Sequence, residues 1–420
     1  MNATVKLIAA IVLFVSITAP NPSTAQANSK IQRENNLIES IDSILHDQVI
    51  NHQIPGAVIL IKEGNHIIWK EAYGYTKKFD QFGKILPEAE LMNKTNLFDI
   101  ASLTKVVGTT TAIMYLADKQ LISVNDSVSK YINAFNTAEK KAITIQQLLT
   151  HTAGLPEWYP MYYKSNNKAA TYNLIAQLPL SYPIGKQRKY SDLGFTILGQ
   201  IIEVVSGMPL DQFLREKIHE PLGMMHTMYN PLKNGNTLKI APTSFGNPYE
   251  KRMVYEPALG FSKKEIDPLS WNGWRNYSLI GEVNDGNAWY ANGGISGAAG
   301  LFSTIDDIQR LVDFLMQKDF NKSNPLISTK TIQQFLTMDQ FNNGLGWMMD
   351  TTNSFLKGAP VGSFGHTGFT GTSIAVIPKY NISVVLLINR QQRGLLPTGE
   401  YYNLGPLRAQ VIKAILKYCK

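Results

Sequence analysis

The sequence predicts an α+β fold: one antiparallel sheet built from both ends of the chain and flanked by helices, with a mainly helical lobe inserted. Three observations carry this. Apolar strand-like runs, paired across turn residues, occur near residue 60 and again near residue 380. Segments of helical period dominate the stretch between them. An amphipathic segment precedes the first strand pair and another follows the last, which gives the sheet helices to pack against.

The elements follow in order. Ile31 to Asn51 places Leu37, Ile38, Ile41, Ile44, Leu45 and Val49 at helical spacing, and Pro55-Gly56 ends the run. Ala57–Ile61 and His66–Trp69 flank Lys62-Glu63-Gly64-Asn65, a hairpin signal. Helical patterns cover Ile143–Leu149, Phe195–Ser206, Leu210–Ile218 and Ile305–Met316. Residues 230–290, rich in Gly, Pro, Asn and aromatics, read as long surface loops that shape a binding site. Thr372–Ile377 and Ile382–Ile388 flank Pro378-Lys379-Tyr380-Asn381 as a second hairpin, and Leu407–Tyr418 closes the chain as a helix. The expected division is a sheet lobe over about 28–110 and 300–420 and a helical lobe over about 111–299.

Before residue 28 the pattern is that of a targeting segment. Lys6 supplies a positive charge, Leu7–Ala19 is an apolar run short for a membrane span, and Ala25-Gln26-Ala27 offers small residues for cleavage. The expectation is a signal peptide over residues 1–27, and so a periplasmic or secreted protein; an uncleaved anchor is the open alternative. The 420 residues, 44% hydrophobic, suffice for one large domain or two packed lobes. The formal charge of +8 is scattered, without the Lys/Arg block that a nucleic-acid stripe needs, so no nucleic-acid partner is expected. The basicity suits weak association with an anionic membrane or cell wall. Cys419 is the single cysteine, which excludes an internal disulfide and a cysteine metal site.

The chemistry centres on Ser102-Leu103-Thr104-Lys105, which follows the strand-like run Leu97–Ala101 and precedes the apolar stretch Val106–Ala117. A helix begun here sets hydroxyl and amine one turn apart on one face. An unprotonated lysine there takes the serine proton and makes it a nucleophile. The spacing alone is weak, since it recurs at Ser127/Lys130, Ser165/Lys168 and Ser354/Lys357 in polar surroundings. Two further segments stand out: Tyr190-Ser191-Asp192 ahead of a helix, and Gly365-His366-Thr367-Gly368-Phe369-Thr370-Gly371 leading into a strand.

With these three motifs in order the chain resembles the serine β-lactamase and penicillin-binding-protein superfamily, in its class C β-lactamase, DD-peptidase and esterase branch. Leu148–Pro156, Gly297–Thr304 and Gly344-Leu345-Gly346-Trp347 add to the likeness, which runs from about Ile54 to Asn389. The resemblance implies a β-lactamase/transpeptidase-like fold and a serine hydrolase acting through an acyl-enzyme on Ser102. It gives Lys105 and Tyr190 the proton traffic and the backbone N–H groups of Ser102 and Phe369 the oxyanion. It turns Asp192, His366, Thr367 and Gly368 toward the substrate. Neither metal nor other cofactor is expected. The partner implied is a small-molecule or peptide substrate, with the cell wall as one source: an ester, an amide or a D-amino-acid peptide.

Two departures shape the substrate expectation. Asp192 stands where the family carries asparagine, and an ionised aspartate only accepts hydrogen bonds. His366 stands where penicillin-active members often carry lysine, and neutral histidine attracts a carboxylate poorly. Both tilt toward an esterase, amidase or specialised peptidase. They also keep open a non-catalytic cell-wall-peptide or penicillin-binding protein on the same fold. His151 is expected to brace its loop, and Trp347, Trp271, Trp274, Trp289 and Tyr290 to serve packing. No H-E-x-x-H, G-x-S-x-G or P-loop pattern occurs. Oligomeric state is left open.

Overall fold

The computed structural model describes residues 22–316 and 326–420. Of the predicted signal peptide, residues 1–21 lie outside the described residues, and residues 22–27 run into the helix Pro22–Ile50. Among the described residues no single helix is long and apolar enough to cross a membrane.

Both chain ends build one six-stranded antiparallel sheet. Its strands are β1 (Gly56–Glu63), β2 (His66–Phe79), β3 (Ile85–Leu91), β7 (Phe364–Thr367), β8 (Ser373–Ile377) and β9 (Ile382–Ile388), in the order β3-β2-β1-β9-β8-β7. The central pair β1/β9 joins the two ends of the chain, with Ala57 opposite Ile388 and Leu60 opposite Val385. Both faces of this pair are covered, so its strands read as unbroken apolar runs without polar alternation. Val58, Leu60, Val385 and Leu387 point into the main core. Ala57, Ile59, Ile61, Val384 and Leu386 point the other way, against the terminal helices Pro22–Ile50 and Gly405–Tyr418. Each of the valine, leucine and isoleucine side chains contributes about 1.5–3 kcal/mol when fully buried.

The structure departs from the sequence expectation in three places. The strand β2 runs on to Phe79 and pairs with an unforeseen β3, whose residues are mostly exposed and carry no buried-face pattern. A second sheet of three short strands, β4 (Phe98–Asp99), β5 (Met228–Tyr229) and β6 (Leu301–Ser303), ties the segment before Ser102 to distant parts of the chain. The stretch expected as surface loops holds a helix, Pro248–Tyr255; Val254 is its one buried residue, so no apolar period announces it.

Candidate active site

The chain from Ala101 to Asp118 is helical throughout: a 3₁₀ turn, Ala101–Leu103, then a π-helical stretch, Lys105–Thr110, then regular α-helix. It starts from a strained point. Ala101 has φ of 45°, and its N–H donates to Asp99 Oδ1 at 2.8 Å, while Asp99 Oδ2 accepts the Asn284 N–H at 2.7 Å. A non-glycine residue in this region costs about 1–3 kcal/mol and persists where its surroundings over-determine it. Asp99 and the β4–β6 pairing supply that constraint one residue before Ser102.

Lys105 Nζ donates to Ser102 Oγ at 3.0 Å and to the Ala298 carbonyl at 2.9 Å, and it pairs with Asp192 Oδ1 at 2.7 Å. Three acceptors around one nitrogen match the three donors of an ammonium. The side chain is fully buried. Burial opposes its charge, but the Asp192 carboxylate, and behind it the Tyr190 phenol, outweigh that penalty and hold its pKa above the ordinary lysine value. The expectation of an unprotonated resting Lys105 is therefore corrected: the carboxylate at position 192 keeps it charged. The other three serine–lysine spacings build nothing similar. Lys130 pairs with Asp126 at the surface, Lys168 with Glu203, and Ser354 turns back on the Asp350 carbonyl.

Two other segments complete the centre. The small residues Gly297 and Ala298 let the segment before β6 lie between two helices: Thr109 Oγ1 donates to the Gly297 carbonyl, and a Cβ on Gly297 would sit 2.2 Å from the Phe195 carbonyl. Tyr190 is held by His151, whose Nδ1 accepts the Ser191 N–H at 3.0 Å and whose ring lies 4.5 Å from the Tyr190 ring. His151 thus braces the loop, as expected, and also positions the phenol. Burial raises the Tyr190 pKa; Lys105 and a hydrogen bond with Ser102 pull it down without cancelling the rise. At rest the group is a neutral phenol poised beside Ser102 and Lys105.

The turn after β7 closes over the Ser102 segment. Thr370 and Thr372 hydroxyls donate to the Asp99 and Ile100 carbonyls at 2.7 and 3.1 Å. Gly368 lies so close that a Cβ there would meet the Ile100 carbonyl at 2.6 Å, which is why the third motif needs glycine at this place. Phe369, 45% exposed, lines the same cavity as Ser102.

Not every expected residue faces substrate. Asp192 is engaged by Lys105 while still bordering the cavity, and the helix Asp192–Ser206 is capped by Ser191 Oγ, which accepts the Gly194 N–H. His366 does not reach the cavity. It is 1% exposed, its Nδ1 contacts the Thr367 carbonyl at 2.9 Å, and its ring stands 6.0 Å from that of Tyr190. The assignment of His366 to substrate contact is corrected: a strand side chain here points into the core behind Tyr190. Thr367 opens instead onto a neighbouring cleft of about 370 Å³ with Arg188 and Arg408, neither in an ion pair among the described residues. Sequence reasoning missed both arginines, since no local pattern marks them. Trp347 packs against Phe364, and Trp271, Trp274 and Tyr290 cluster around Tyr162.

Burial, with the Lys105 charge behind it, pushes His366 down to about 3 from an ordinary 6.5. A base depressed in the folded state contributes stability above pH 6.5 that is lost as pH falls toward 3. Between pH 7.5 and 5 this amounts to about 2 kcal/mol. Urea unfolding at the two pH values is expected to show wild type losing that much more than His366→Phe; equal losses contradict it.

The cavity beside Ser102 has a volume of about 390 Å³ and is walled by Glu157, Trp158, Tyr190, Asp192, Tyr249, Glu250 and others. The Beta-lactamase family model matches residues 41–404. An N-acetylmuramyl-L-alanine amidase of Bacillus subtilis (strain 168) is 29% identical over 423 residues, covering 94% of this chain and 92% of its own. A protein of Salmonella agona (strain SL483), provisionally named a D-alanyl-D-alanine carboxypeptidase, is 32% identical over 436 residues, covering 94% and 96%. Among solved structures, EstCE1, a hydrolase with promiscuous acyltransferase activity, superposes with a TM-score of 0.65 at 22% identity over 91% of this chain and 99% of its own, a likeness of fold. The match of one family model to most of the chain, together with full-length relatives named as amidase and carboxypeptidase, makes this chain a member of the Beta-lactamase family of hydrolases.

Proposed function

We propose that this protein is a serine hydrolase that forms an acyl-enzyme on Ser102 and cleaves small esters, amides or D-amino-acid peptides. The observation that carries the reading is the buried Lys105 ammonium within 3.0 Å of Ser102 Oγ and 2.7 Å of Asp192. As Ser102 Oγ bonds to the substrate carbonyl carbon, its proton passes to Lys105 Nζ, which hands one of its own to Asp192. The carbonyl oxygen becomes an oxyanion opposite the Ser102 and Phe369 N–H groups. Such donors are typically worth ~2.7–4 kcal/mol each. When the tetrahedral intermediate collapses, the neutral Tyr190 phenol protonates the leaving group and recovers its proton from Asp192 through Lys105. Water then repeats the sequence on the acyl-enzyme, releasing the acid and freeing Ser102.

The relatives' names, amidase and D-alanyl-D-alanine carboxypeptidase, support cell-wall peptides as one substrate class. Arg188 and Arg408 near Thr367 supply positive charge for a substrate carboxylate that His366 does not. The apolar, small-residue pattern of residues 1–27 supports action outside the cytoplasm.

A fluorophosphonate or fluorescent penicillin is expected to add its mass to Ser102 and to leave Ser102→Ala unmodified. In a kcat/KM comparison a p-nitrophenyl ester ranks first, with nitrocefin weak. No adduct, and no turnover across an ester and amide panel, counts against the hydrolase. Tight ligand binding unchanged in Ser102→Ala would then favour a binding protein on this fold.

A further inference from the structure

The ionisable side chains that line the cavity at Ser102 are all acidic. Its lining carries Glu157, Asp192, Glu250 and Asp285 and no lysine, arginine or histidine. Lys105 neutralises Asp192 from behind. Glu250 and Asp285 are built together. Glu250 Oε2 accepts the Gly286 N–H at 2.8 Å, and a Cβ on Gly286 would fall 2.3 Å from Glu250 Oε1, so this carboxylate rests on the backbone that follows Asp285. Asp285 Oδ1 accepts the Ala288 N–H at 2.7 Å.

The guanidinium behind this pair is spent elsewhere. Arg275 donates to the Val283 and Asn284 carbonyls at 2.8 and 3.1 Å and to Asn247 Oδ1 at 3.2 Å, and it pairs with Glu282 at 3.4 Å. Burial, then mutual repulsion, pushes the Glu250 carboxyl up; burial, then the Asp192 charge, does the same to Asp285. With Glu250 pushed up to about 8 and Asp285 to about 6, a cation seated between them draws both back toward the ionised form. The described His, Cys, Asp and Glu residues form no group of three fit for a metal ion.

A second observation is an unpartnered polar group in the wall. Tyr401 is 7% exposed and lines the cavity, and its hydroxyl makes no hydrogen bond among the described residues. Trp158, Tyr249 and Phe261 add aromatic walls. Ring faces and carboxylates together form the surround that an ammonium prefers.

We propose that this cavity selects acyl groups bearing a primary ammonium, held between Glu250 and Asp285 beside Ser102. The proposal rests on the serine-hydrolase reading and deepens it. The substrate class is then aminoacyl esters and amides, or peptides with a free amine near the scissile carbonyl; acyl groups that present a carboxylate to this cavity are repelled.

The test compares kcat/KM for the methyl esters of alanine and N-acetylalanine, both enantiomers, at pH 7, in wild type and in Glu250→Gln/Asp285→Asn. Fluorophosphonate labelling of Ser102 checks that each site is intact. Wild type is expected to favour the free amine at least 10-fold in one enantiomer, and the double variant, still labelled, to lose that ratio. Equal or reversed preference in a labelled wild type overturns the proposal while sparing the hydrolase reading. A ratio retained in the double variant overturns it too. Absence of both labelling and ester cleavage overturns the hydrolase reading, and this proposal with it.

Discussion

Lys105→Met is expected to slow acylation of Ser102 by about 10³-fold, within the range by which a positioned proton-transfer group accelerates a reaction. The ammonium is the single link between Ser102 Oγ and Asp192, and no other basic side chain contacts the hydroxyl among the described residues. The same change strands the Asp192 carboxylate, and breaking a buried pair from one side costs about 3 kcal/mol. Activity and stability are separable. Lys105→Met/Asp192→Asn removes both charges, so its unfolding midpoint is expected to recover toward wild type while acylation stays slow. The checks are stopped-flow acylation by a p-nitrophenyl ester and denaturant unfolding. Near-normal acylation in Lys105→Met would remove the lysine from the mechanism, and a double variant that regains rate along with stability would reduce it to a structural role.

Asp192→Asn carries the second large effect, and its direction is informative. The carboxylate raises the Lys105 pKa, and in the proposed relay it is the destination of the proton. Asparagine has no basic oxygen to receive it, so the acylation rate at pH 7 is expected to fall about 10²-fold. The variant also loses the largest interaction that keeps Lys105 charged, so the lysine pKa falls. Part of the lost rate then returns at alkaline pH as free amine accumulates, and the pH–rate profile rises where the wild-type profile is flat. A variant as fast as wild type at pH 7, or faster, would mean that Asp192 only restrains the lysine.

These two residues also show how far the chain can be read before it folds. Ser102 and Lys105 were legible because their relation is local: three positions along one helix bring the groups to 3.0 Å. Tyr190 was legible through the order of the motifs. The roles of Asp192 and His366 were not, because a charge state depends on burial and on partners far along the chain. Asp192 meets Lys105 across 87 positions in sequence, and His366 is neutral because β7 turns it inward. Glu250, Asp285, Arg188 and Arg408 lie on separate segments with no spacing in common, so no periodicity connects them. In the fold, the central strands and terminal helices were legible from apolar runs and helical period. The strand β3 and the helix Pro248–Tyr255 were not, since each buries too little to leave a pattern.

The linear chain dictates a hydroxyl with an amine one turn away, because helix geometry follows from nearest-neighbour bonding. Folding decides the amine's charge, the phenol's place and the sign of the cavity wall, because Coulomb and desolvation energies depend on distance through space and not along the backbone.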